Sequence, residues 1–149
     1  MMSDAIIPLI SSIIGGVLVL AGTFVAKRAE DRRVWLIRLQ EAAGDLATSY
    51  FQEVATINDA RRAGADKSSV PAATYIVDRQ KALGRFRTLP WSGEFESQRQ
   101  QMGKALDRVW QAWGDTDDAF EAAHKDARAT VVTFTQAVGT HILRRGAGR

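Results

Sequence analysis

The sequence predicts an all-α protein: one N-terminal transmembrane helix continuing into a cytoplasmic antiparallel bundle of three to four helices. Three observations predict it. Residues 5–26, AIIPLISSIIGGVLVLAGTFVA, run without a charge. Beyond them apolar residues recur at threes, fours and sevens, the spacing of a helix face. Turn residues cluster at three places, and no stretch alternates as a strand; the best β-like run, ATVVTFT at 129–135, sits inside a helical period.

As a helix, residues 5–26 would span roughly 33 Å, against about 30 Å of bilayer hydrocarbon. A secretory signal would begin with basic residues and end at a small-residue cleavage site. Here the start is MMSD, with no Lys or Arg, and the apolar run is too long. Charge asymmetry then sets the orientation. Asp4 flanks one end, while Lys27, Arg28, Arg32 and Arg33 flank the other, and all 20 basic residues follow Ala26. The positive-inside rule places residues 1–4 outside and 27–145 in the cytoplasm, with 146–149 as a flexible basic tail. Pro8 falls in the first turns, where the helix tolerates a missing N–H. Ser11, Ser12, Gly15, Gly16 and Gly22 form a small-residue face on which a second helix could pack within lipid.

The helix is expected to continue past the membrane, since no Gly or Pro occurs between Ala26 and Gly44. Counting in sevens from Gly15 gives Gly22, Ala29, Leu36, Ala43, Tyr50 and Ile57. Leu39, Leu46 and Val54 fill the same stripe, and Arg32 and Glu53 interrupt it. Ala42, Ala47 and Phe51 make it wider than a coiled-coil seam, which favours the core face of a bundle.

A loop is predicted near 63–70, with Ser69 capping a second helix whose first turn holds Pro71 and whose inner face is Ile76, Leu83 and Phe86. Pro90 ends that helix, Trp91 precedes the next one as a staple, and Ser92 caps it. The third helix presents Phe95, Met102, Leu106, Val109 and Trp113. Asp115 or Thr116 caps the fourth, and Asp117 and Asp118 suit the positive end of its dipole. Phe120, Ala123, Ala127, Val131, Phe134, Val138 and Ile142 face inward, and His141, Arg144 and Arg145 suit its C-terminus before Gly146. If Gly114 breaks the chain, an up-down arrangement returns the C-terminus toward the membrane. Arg144 and Arg145 then join Lys27, Arg28, Arg32 and Arg33 at anionic headgroups.

Composition excludes several chemistries. There is no cysteine, hence no disulfide and no thiolate metal site. Net charge is +3 with the signs interspersed, which is no nucleic-acid footprint. His124 and His141 stand nearly five turns apart on one helix, read as surface or capping residues, and cannot share a metal ion. No nucleophile elbow, phosphate loop or zinc-protease motif occurs. Trp35 lies two residues past the basic cluster, at the membrane interface or on the bundle. Of Trp110 and Trp113, the latter fits the core stripe, leaving Trp110 as the candidate partner contact. The Arg-, Ala- and Gly-rich composition suggests a bacterial or phage genome.

The expectation is a membrane-anchored, non-enzymatic interaction protein without a cofactor. Its partners would be the lipid bilayer and a membrane or cytoplasmic protein, with a homo-oligomer as a further possibility. A self-assembling, membrane-permeabilising protein of the holin kind is the alternative.

Overall fold

The computed structural model describes residues 6–147, and side chains from Gly22 onward except Ala73. Among the described residues all regular structure is helical. Helix α1 spans Ile6–Arg62, α2 Ala72–Arg87, α3 Glu96–Gln111 and α4 Asp117–Ala147. Short 3-10 turns at Lys67–Ser69, Ser92–Phe95 and Ala112–Gly114 join them. The chain divides into two compact units, residues 1–35 and 36–149.

Among the described residues of the first unit α1 is the regular element, and its described side chains, from Gly22 to Trp35, are exposed. Most of the predicted span, residues 5–21, lies outside the described side chains, including those of Ser11, Ser12, Gly15 and Gly16. Gly22 is described, and a β-carbon there would meet nothing within 4 Å. Among the described residues no helix is long and apolar enough to cross a membrane. The transmembrane assignment therefore rests on the sequence.

The second unit is a four-helix bundle. Along α1 the buried residues are Leu36, Leu39, Ala43, Leu46, Tyr50, Val54 and Ile57, spaced by threes and fours, with Ala42 and Ala47 beside them. This repeat keeps one face of a 3.6-residue helix turned inward for six turns. Ala82, Leu83 and Phe86 come in from α2, Met102, Ala105, Leu106 and Val109 from α3, and Phe120, Ala127, Val131, Phe134 and Val138 from α4. Burying Phe134 completely removes enough apolar surface to contribute about 1.5–3 kcal/mol. Its ring meets Phe86 edge-on at 5.4 Å and Phe95 at 6.4 Å, the tilted geometry that aromatic quadrupoles favour.

Cross-links fix the topology. Arg85 reaches Asp45 and Arg79 reaches Glu53, so α2 runs antiparallel to α1. Arg108–Asp126 and Arg145–Glu94 set α4 antiparallel to α3, and Arg61–Asp117 with Arg62–Glu121 place the start of α4 beside the end of α1. Gly114 does separate α3 from α4. Arg61 closes that corner: Nε donates to the Trp113 carbonyl (3.1 Å) and Nη2 to the Asp115 carbonyl (2.8 Å), while the guanidinium lies 4.3 Å from the Phe120 ring centre. Thr116 caps α4, its Oγ1 accepting from the Ala119 N–H.

Local chemistry departs from the sequence reading at several points. Asp66, rather than Ser69, supplies a capping carboxylate, accepting from the Ser68 N–H at the 3-10 turn. Pro71 precedes α2, which has no side-chain cap. Ser92 lies inside a 3-10 turn and its hydroxyl donates back to the Arg87 carbonyl. Helix α4 continues through Gly146 to Ala147. Ile76 is 43% exposed rather than inward, because α2 turns Tyr75 and Arg79 toward α1, where Thr56 and Glu53 bind them. Both histidines also turn inward: His124 is buried and His141 largely so.

Candidate functional site

The residue that interrupts the core stripe, Glu53, is the centre of a polar cluster. It occupies a core-facing position on α1, one turn beyond Tyr50, and is only 1% exposed. A carboxylate so placed requires donors, since an unpaired buried charge is strongly unfavourable. Arg79 of α2 supplies one, Nη1 to Oε2 at 2.7 Å, and Trp110 of α3 another, Nε1 to Oε1 at 3.2 Å. The Arg79 guanidinium also lies 5.3 Å from the Tyr50 ring centre. Burial pushes the Glu53 carboxyl above its ordinary value, while Arg79 and the Trp110 hydrogen bond pull it back. Burial likewise raises the Tyr50 hydroxyl. With each oxygen engaged by a different helix, the cluster clamps α1, α2 and α3 in register.

Trp110 is therefore half-buried and held from several sides. It stacks on Trp113, with ring centres 6.2 Å apart and planes 17° from parallel. Lys67 crosses from the α1–α2 loop to donate to the Trp110 carbonyl at 2.7 Å and lies 5.9 Å from its ring. What remains of this indole for a partner is the part not covered by Trp113 and Lys67.

A second cluster occupies the opposite end of the bundle. His141 Nδ1 lies 3.0 Å from Glu94 Oε2, and Arg145 Nη2 lies 3.2 Å from Glu94 Oε1. Phe95 and Trp91 flank the imidazole at 5.3 and 5.8 Å, and Arg145 lies 5.3 Å from the Trp91 ring. His141 Nε2 is buried without a hydrogen-bond partner. Trp91 holds a left-handed backbone, φ 66°, a conformation costly for any residue with a β-carbon. Glu94 thus ties the last turns of α4 to the turn that precedes α3.

Between α1 and α4 run two open grooves that share Asn58. One of about 520 Å³ is lined by Phe51, Val54, Ala55, His124 and Arg128, and one of about 760 Å³ by Arg61, Arg62, Phe120 and Glu121. Asn58 is 8% exposed with Oδ1 unpartnered. His124 is 7% exposed and stacks on Phe120, and burial lowers its pKa. Among the described residues no group of three or more His, Asp or Glu is arranged to hold a metal ion.

The residues expected at the membrane surface fall in both units. Lys27, Arg28, Arg32 and Arg33 are exposed on α1, with Arg28 over the Phe24 ring at 4.8 Å. Arg144 and Arg145 are exposed at the end of α4. Glu53 was legible in the sequence as an acid at a core position, a signal for buried pairing. Its partners Arg79 and Trp110, 26 and 57 residues away, were not.

Comparison with known protein families, characterised proteins and solved structures finds no significant match.

Proposed function

We propose that this protein is a membrane-tethered, non-catalytic helical interaction protein: a subunit, adaptor or inhibitor of a membrane complex. The observation that carries the reading is the continuity of α1. One helix contains the charge-free segment from Ile6 onward, the exposed basic turn at Lys27–Arg33 and the first core face of the bundle. A span that merely anchors would need no such continuity. The polar clusters support the same reading, because their charged groups are bound to one another as links between helices.

The chain contains no cysteine, so single-cysteine variants give a clean test. The full chain, expressed in bacterial cells, should stay with the membrane through alkaline carbonate washing. Ser3→Cys should react with an impermeant maleimide in intact cells, and Asp118→Cys only after permeabilisation. Mild detergent extraction should then recover a stoichiometric second protein. Release by carbonate would overturn the tether, and a particle containing only this chain would move the reading to self-assembly.

A further inference from the structure

We infer that one end of the bundle is a docking surface for anionic phospholipid, distinct from the span; the inference rests on the membrane-tethered reading and deepens it. The fold sorts charges that the sequence mixes. The end built from residues 36–46, 80–100 and 136–147 carries seven Lys and Arg against four Asp and Glu, a net +3. The rest of the bundle, residues 47–79 and 101–135, carries eight against ten, a net −2. These segments converge through Arg85–Asp45, Arg87–Glu96 and Arg145–Glu94, so basic residues of all four helices share one end.

Apolar side chains stand among them. Leu143 is 74% exposed, the most exposed large apolar side chain of the bundle, and Arg144 and Arg145 follow it directly. Ile37 of α1 is also exposed, with Arg38 next in sequence. Exposed apolar side chains at the same end of a bundle as arginines suit a lipid interface: the apolar group enters below the headgroups and a guanidinium meets the phosphates. The far end, with Asp115, Asp117 and Asp118 at its corner, is repelled by the same surface, so the charge distribution orients the bundle as well as attracting it. Three net charges amount to a preference of roughly a hundredfold for an anionic over a neutral surface.

The test places an environment-sensitive fluorophore (NBD) on Leu143→Cys, and separately on Asp118→Cys, in the full chain reconstituted into phosphatidylcholine vesicles with or without phosphatidylglycerol. Position 143 should shift to blue, lipid-buried emission only with phosphatidylglycerol, and the shift should fade in high salt. Position 118 should remain water-like throughout. Since labelling removes Leu143 itself, an Ile37→Cys probe in a chain retaining Leu143 repeats the reading. Arg85→Gln with Arg144→Gln lowers the net charge from +3 to +1 and should weaken the docked state about thirtyfold. Circular dichroism should show that the bundle stays folded. Water-like emission at 143 and 37 on both lipids, with carbonate-resistant insertion, would overturn the docking and leave the tether. Equal burial on neutral and anionic lipid would overturn the electrostatic basis. Release by carbonate together with salt-sensitive binding to phosphatidylglycerol would overturn the tether and leave the docking.

Discussion

Removing the Glu53 carboxylate tests the clamp most directly. In Glu53→Ala, Arg79 and Trp110 lose their acceptor at once, and a small void replaces the side-chain stem. Breaking one side of a buried ion pair costs about 3–5 kcal/mol, mostly because the surviving charge stays where water cannot reach it. Here the orphan is Arg79, whose side chain remains 18% exposed and can recover part of its hydration. That argues for the lower end, about 3 kcal/mol, before any loss at Trp110. Against a total stability of about 5–15 kcal/mol this is a large fraction. Glu53→Gln fills the same space but keeps only one acceptor oxygen, turns an NH2 toward the second donor and leaves Arg79 without a counter-charge, so it should cost about 1–3 kcal/mol. Urea titration of the full chain in mild detergent, followed by tryptophan fluorescence and by circular dichroism, measures both. If Glu53→Ala lies within about 0.5 kcal/mol of the parent, the clamp contributes no net stability and the reasoning fails.

Two further predictions concern residues whose surroundings only the structure shows. At Trp91, a residue with a β-carbon in the left-handed region costs about 1–2 kcal/mol, so Trp91→Gly should be more stable than Trp91→Ala by about 1 kcal/mol, the reverse of the usual order. Melting both variants decides it, and Ala equal to or above Gly would exclude strain at this turn. At His124, burial lowers the folded-state pKa below the ordinary 6.5. Its contribution is therefore complete above pH 6.5 and is lost as pH falls through the lower folded value. The urea midpoint should drop between pH 7.5 and 5.5 in the parent and drop less in His124→Leu; identical pH profiles would refute the assignment.

The element order was legible in the sequence because it depends on local rules. The threes and fours from Leu36 to Ile57 marked a helix face before any neighbour was known, and Pro90 marked a corner by its locked φ and missing N–H, Gly114 by its weak helix propensity. Caps were read less well. Ser69 and Ser92 had the right chemistry for the role, but the turns adopted 3-10 geometry and used Asp66 and a strained Trp91 instead. Choices between neighbouring residues, such as Ile76 or Tyr75 as the inner member of α2, depend on which side of the helix meets Thr56 and Glu53. No helical periodicity resolves a rotation that small.

The sequence by itself determined that the chain is helical and where its helices break. Each of these follows from the properties of a residue and its near neighbours along one chain. Only the tertiary structure decided that Glu53 is a clamp, that both histidines turn inward, and that an evenly mixed set of charges sorts into a basic end and an acidic end. Those features arise when side chains tens of residues apart are brought within hydrogen-bond distance, where burial and pairing, rather than local preference, set the energy.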